Sequence, residues 1–157
     1  MMLPPTAKST ENLLMALENQ ELRKAGLKIT LPRVKIYQIL EQAGEQDHWS
    51  AEDIYRILME QGEDVGLATV YRVLTQFEAA GLVVRHHFEG GHSVFELSSD
   101  DKHDHIVCVK SGVVREFSDP VINKRLQEIA EENGFILTDR TIYLYGIYKD
   151  ADKERKI

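Results

Sequence analysis

The chain has 157 residues, 43% of them hydrophobic and 29% charged, with a formal net charge of −7. That length allows one domain or two small ones with real cores but is too short for a large enzyme, and the composition is that of an ordinary soluble globular protein. No apolar run approaches the ~20 residues of a membrane span; Met1-Met2-Leu3-Pro4-Pro5 lacks the basic and apolar regions of a signal peptide; and the one cysteine, Cys108, rules out an internal disulfide or a cysteine-only zinc knot. A cytoplasmic protein is expected. The negative balance argues against indiscriminate nucleic-acid binding, yet the charge is unevenly placed. From Leu22 to Leu40 there are five basic residues (Arg23, Lys24, Lys28, Arg33, Lys35) and no acid. A solvated helix face is the plain explanation of such a run.

Residues 1–20 read as an N-terminal extension, with Thr10 as an N-cap and Leu13, Leu14 and Leu17 as an apolar stripe expected to pack on the body. The stretch Arg23 to Gly26 ends in a glycine stop. Thr30-Leu31-Pro32 then reads as a helix start with proline in the first turn, running to Gly44 with Val34, Ile36, Ile39 and Leu40 available to a core. Ser50-Ala51-Glu52-Asp53 has the form of a capping box with the shorter acid in third position. Its helix carries Ile54, Tyr55, Ile57 and Leu58 and stops at Gly62. A third helix is predicted over about Leu67 to Ala80, stopping at Gly81.

The period then changes from helical to alternating. Leu82 to Phe88, a Glu89-Gly90-Gly91 turn and His92 to Leu97 read as a hairpin. Three helices and a hairpin are the order of a winged helix-turn-helix, here residues 21–97. Residues 98–102 are a polar hinge. Residues 103–148 form a second pattern: strand (His105 to Lys110), Ser111-Gly112 turn, strand (Val113 to Phe117), helix (Asp119 to Asn133), Gly134, and an apolar strand over about Phe135 to Tyr148. Residues 149–157 are a charged tail. The predicted class is α+β, a winged helix followed by a small α/β domain.

Two groups of residues carry candidate chemistry. His103 and His105 flank Asp104 where the hinge becomes a strand. In extended chain they share one face, roughly 7 Å apart, with Asp104 opposite, so both imidazoles can hold one transition ion. Glu96, Glu116 and His48 are their company, against the plain alternative of a surface histidine pair. In the third helix Val70, Val73, Leu74 and Phe77 follow core spacing. Thr69, Arg72 and Gln76 lie on the other side with Tyr71 at the margin. Such a face suits a helix entering the major groove, and it also suits an ordinary three-helix bundle.

The motifs Ala25-Gly26-Leu27-Lys28-Ile29-Thr30-Leu31-Pro32-Arg33, Ser50-Ala51-Glu52-Asp53-Ile54-Tyr55, Gly66-Leu67-Ala68-Thr69-Val70-Tyr71-Arg72-Val73-Leu74 and Gly90-Gly91-His92-Ser93-Val94-Phe95-Glu96-Leu97 together resemble the ferric uptake regulator family. The likeness runs from about Asn19 to Tyr148. It implies a homodimeric, iron-responsive repressor with a winged helix and an α/β dimerisation domain, binding a roughly palindromic double-stranded operator. It further implies that Lys28 reaches the minor groove and that Arg33, Thr69, Tyr71 and Arg72 engage backbone and bases. The family's sensing positions are filled here by His48, Glu96, His103, His105 and Glu116. Imidazole and carboxylate suit Fe(II), Mn(II), Co(II) or Zn(II) and not thiolate-bound copper(I). One divalent ion per protomer is expected, Fe(II) in the cell, with Zn(II) or Mn(II) able to substitute.

Two departures from the family pattern stand out. Cys108-Val109-Lys110-Ser111 stands where many members carry Cys-x-x-Cys, so no cysteine-bound structural zinc is expected, and Cys108 reads as a small buried hydrophobe. The family's second site, made of His, Asp, Glu and His, corresponds to Lys102, Asp104, Asn123 and Arg140. Two cations, one amide and one carboxylate cannot hold a dication, so no metal is expected there. His86, His87 and His92 lie on the wing and are not expected to ligate metal; His86 and His92 read as solvated or phosphate-facing. The alternatives are a zinc, manganese or peroxide sensor of the same family, a small non-haem metal enzyme, or a winged-helix interaction module. Five protein donors leave little room for a substrate, no nucleophile or acid–base cluster accompanies them, and no catalytic residue is expected.

Overall fold

The structure is a computed structural model and describes residues 7–44, 47–88 and 93–149. Its elements are α1 (Ala7–Lys24), α2 (Leu31–Glu41), α3 (Ala51–Glu60), α4 (Leu67–Ala79), β1 (Val83–His87), β2 (Ser93–Leu97), β3 (Asp104–Cys108), β4 (Val114–Phe117), α5 (Pro120–Glu132) and β5 (Tyr143–Gly146). They fall into two compact units, one made of α1 to β2 and the other of β3 to β5, the second also taking in Asp47 and Phe88. The Glu89-Gly90-Gly91 turn, His92 and residues 150–157 of the tail lie outside the described residues. Among the described residues no helix is long and apolar enough to cross a membrane.

In the first unit local chemistry sets the boundaries. Thr30 caps α2 through its side chain with Pro32 in the first turn, and Ser50 and Asp53 complete a reciprocal capping box on α3. The α1 end closes at Gly26, whose φ of +78° needs a residue without Cβ strain. Ile36 and Leu40 from α2, Ile54 and Leu58 from α3, and Val70, Leu74 and Phe77 from α4 meet in one core. The β1–β2 hairpin closes it with Phe95, itself bridged to Trp49.

The N-terminal helix differs from expectation. Thr10 lies inside α1, which begins at Ala7, and Leu13 and Leu17 are exposed. Ala7 and Lys8 are good helix formers, so the helix starts ahead of the threonine. What docks α1 is Leu22, fully buried, and Glu18, whose carboxylate accepts from Gln38 Nε2 at 2.7 Å. Burial, and then the charge of Glu18, raise the Glu41 pKa above the ordinary carboxylate value. A carboxyl raised in the folded state weakens the fold as pH climbs from the unfolded value through the folded one, so the penalty is absent below the unfolded value and complete above the folded one. Glu41→Gln is therefore expected to raise the melting temperature slightly at about pH 8 and to leave it unchanged at about pH 3. Thermal melts at both values check this.

The second unit is a three-stranded sheet in the order β4-β3-β5. β3 pairs antiparallel with β4 and parallel with β5, and α5 makes the crossover. Asp119 caps α5 by accepting from Val121 N and Ile122 N, and Pro120 occupies its first turn. The long terminal strand expected over Phe135 to Tyr148 is cut to Tyr143–Gly146. Only that stretch finds a ladder with β3; Phe135 and Ile136 stay exposed, and the polar run Thr138 to Thr141 lies outside the ladder and carries Arg140, which bonds to Asp104.

Candidate metal centre

In the first unit His48 precedes Trp49, whose carbonyl accepts from Phe95 N at 2.8 Å. That bond fixes the His48 backbone beside β2, where Glu96 is the next residue. His48 is almost wholly buried, with Nε2 at 3.6 Å from Glu96 Oε2. The other carboxylate oxygen, Oε1, lies 2.6 Å from His86 Nε2. Val84 pairs with Glu96 and His86 with Val94, so His86 and Glu96 are diagonal neighbours on one face of the hairpin. His86, expected to be solvated or to face phosphate, is instead buried against Glu96. The signal was present in the alternation of the two strands, but it becomes usable only with the register. His87 is exposed, its Nδ1 at 3.1 Å from Ser93 Oγ.

In the second unit His105 pairs directly with Glu116 across β3 and β4. Opposite residues of an antiparallel pair share a face, and His103, two positions earlier, joins them. His103 Nε2 is 3.3 Å from Glu116 Oε1, and the two imidazoles meet edge to face with centroids 4.9 Å apart. His103 Nδ1 lies 3.2 Å from the Asp101 carbonyl. With the proton on Nδ1 and donated to that carbonyl, the Nε2 lone pair faces the carboxylate side. Phe88 and Tyr143 back the buried His105 ring at 5.8 and 6.0 Å. Each unit thus holds its own imidazole–carboxylate group of the borderline donor type that divalent transition ions prefer, and the residues fit such an ion.

Asp104 points to the opposite face. Arg140 Nη1 donates to Asp104 Oδ1 at 2.6 Å, and Arg140 Nη2 donates to Asn123 Oδ1 on α5. The side chains are 16% and 3% exposed for Arg140 and Asp104, so this is a buried ion pair tying β3, α5 and the segment before β5 together. Lys102 is not part of it; its ammonium reaches Asp139 at 3.6 Å on the surface. Cys108 is buried, as a small hydrophobe would be. Hydrogen bonding from Ser111, then from the Tyr148 N–H, lowers its pKa to about 7.

On α4, Val70, Val73, Leu74 and Phe77 are buried, while Tyr71 and Arg72 are exposed and Thr69 is half-buried. The Tyr71 hydroxyl donates to Glu52 on α3. Lys28 is exposed. Arg33 is half-buried and bound inside the unit to the Lys28 carbonyl and to Gln76.

A winged helix-turn-helix with a polar α4 face, in one chain with an α/β unit and imidazole–carboxylate groups, defines the class of metal-dependent DNA-binding regulators. The family model described as ferric uptake regulator family matches residues 24–145. The ferric uptake regulation protein of Pseudomonas aeruginosa is 68% identical over 128 residues, 82% of this chain and 95% of that protein. The crystal structure of the Vibrio cholerae ferric uptake regulator superposes with a TM-score of 0.77 at 57% identity, covering 83% of this chain and 98% of that one. The Pseudomonas aeruginosa regulator with manganese gives 0.73 at 65% identity, covering 85% and 98%. The chain belongs to the ferric uptake regulator family. It is a transcription regulator and not an enzyme.

Proposed function

We propose that this regulator holds one divalent transition ion per protomer on His48, Glu96, His103, His105 and Glu116, and that the loaded homodimer represses iron-uptake genes in the cytoplasm. The observation that carries the reading is the paired arrangement within each unit: Glu96 beside His48 in the first, and Glu116 beside His103 and opposite His105 in the second. The bound ion would supply a cross-link between donors of the two units. Donors from two units converge in only one mutual orientation, so ligation favours that orientation over the others. The Vibrio cholerae regulator is described as showing a structural rearrangement of its DNA-binding domains, which is the kind of motion this requires. Fe(II) is the ion in the cell, with Mn(II) or Zn(II) able to replace it; the Pseudomonas aeruginosa relative is described with manganese.

Lys28, Thr69, Tyr71 and Arg72 form the DNA face. Dimerisation uses the second unit, where Val121, Ile129, Leu144 and Tyr145 present exposed apolar surface on α5 and on β5, an edge strand of its sheet. A two-fold dimer calls for a roughly palindromic operator. No structural zinc belongs to this reading, since Cys108 is the one cysteine of the sequence, and no second ion at Asp104, since Arg140 lies where a cation would.

The deciding experiment is anaerobic titration of DNA binding with Fe(II), Mn(II) and Zn(II). Metal-stimulated affinity is expected, and equal affinity with and without metal would sink the reading. On the DNA side, Tyr71→Ala is expected to relax site preference. Arg72→Ala should weaken binding to all duplexes and lower the salt slope by about one. Unchanged affinity and slope in the Arg72 variant would remove α4 as the reading helix.

A further inference from the structure

We infer that Arg33 is a positioning residue for DNA recognition, clamping the loop that carries Lys28 to helix α4 so that both are presented at one fixed spacing. The inference rests on the reading of Lys28 and α4 as the DNA-reaching elements.

The loop lies between two well-made ends. At the close of α1, Gly26 N donates to Arg23 O at 2.9 Å and Leu27 N to Leu22 O at 3.0 Å, a Schellman pair that turns the chain out of the helix. Thr30 then caps α2. Between them Leu27 and Ile29 pack on the core while Lys28 is exposed, the alternation of an extended segment. These anchors hold the loop to the core it shares with α4 through non-directional apolar packing, which leaves a directional tie to that helix still to be made. Arg33 supplies the tie. From the first turn of α2 its Nη1 donates to the Lys28 carbonyl at 2.9 Å, and its Nη2 donates to Gln76 Oε1 at 2.8 Å. Gln76 sits one turn beyond Arg72 on α4, so the same helix carries both the outward arginine and the clamp partner.

The guanidinium suits this task. Its donors are fixed in one plane, so two bonds to groups from different elements set distance and direction together, whereas a lysine offers a single point charge on a flexible stem. The bond to Gln76 is partly buried, where a hydrogen bond is less exposed to competition from water. A residue whose task is to neutralise a phosphate would instead extend its guanidinium into solvent, as the exposed Arg72 is free to do.

Positioning and direct contact predict different binding behaviour. Removing one phosphate-binding cation lowers the salt dependence by about one counterion and weakens every duplex alike. A broken clamp leaves the charge of Lys28 in place and removes only the advantage of correct spacing. The test uses the full-length, Mn(II)-loaded protein, a duplex that the wild type selects from a random-sequence pool, and a scrambled duplex of the same length. Arg33→Gln and Arg33→Lys are both expected to lose roughly tenfold on the selected duplex, with scrambled-duplex affinity and salt slope unchanged. Gln76→Ala should lose as much, and combining it with Arg33→Gln should add nothing. In a Lys28→Ala background most of the Arg33→Gln loss should disappear.

Parallel weakening on both duplexes with a lower salt slope would make Arg33 a phosphate contact and overturn the inference. So would full activity of Arg33→Lys, or losses that add with those of Lys28→Ala. If Lys28→Ala and Arg72→Ala themselves change nothing on either duplex, the DNA face is misplaced and the clamp falls with it. The single variants of Lys28 and Arg72 thus separate that failure from the failure of the clamp alone.

Discussion

Arg140→Ala is expected to destabilise the second unit by about 3–5 kcal/mol, the usual consequence of removing one partner of a buried ion pair. Asp104 is only 3% exposed on its side chain, and Arg140 is the cation that meets it. Without the guanidinium the carboxylate stays buried and uncompensated, and Asn123 on α5 loses the same donor. Removing both charges at once should behave differently. Asp104→Leu with Arg140→Met leaves no buried charge and is expected to recover most of the loss. Chemical denaturation of the three proteins measures this, and an Arg140→Ala variant as stable as wild type would show that the pair contributes nothing.

The same geometry bears on metal content. Wild-type protein is expected to bind about one transition ion per protomer tightly and to remain dimeric after chelation. Asn123→Glu with Arg140→His places a carboxylate and an imidazole around Asp104, and that variant is expected to take up a second ion. Elemental analysis and sedimentation of chelated protein check both statements. Two tight ions in the wild type, or monomers on chelation, would contradict the role given to Arg140.

The second large effect concerns the switch. Glu96→Ala and His103→Ala are each expected to abolish metal-stimulated operator binding, with metal affinity reduced by roughly 100-fold or more, while leaving a folded dimer. These two are the informative donors because both side chains are partly exposed, Glu96 at 18% and His103 at 23%. Truncating them opens no core cavity. His48 and His105 are buried, so their replacement would mix loss of a donor with loss of packing. Metal-activated binding at wild-type affinity in both variants would rule out the assignment.

What the residues alone determined lies within a few positions along the chain. Thr30 with Pro32, Ser50 with Asp53, Asp119 with Pro120, and the glycine at residue 26 mark helix ends because their hydrogen-bond partners sit within the next turn. The core faces of α2 and α4 were legible for the same reason, since helical spacing is a local property. His103 and His105 on one face, with Asp104 on the other, follow from the two-residue period of extended chain. Glu96, Glu116 and His48 stand as candidate company for that pair in the sequence, but the pairing of His105 with Glu116 comes only with strand register.

The tertiary structure decided the rest. Arg33 meets Gln76 across 43 positions, Arg140 meets Asp104 across 36, and His86 meets Glu96 across a hairpin. The strand expected from Phe135 shrank to four residues, Tyr143–Gly146. An apolar run forms a strand only where a neighbouring ladder accepts its backbone, and here the β3 edge accepts only those four. Side-chain pairing between distant segments depends on register and packing, in which a one-residue slip sends every side chain to the other face; no local spacing encodes it.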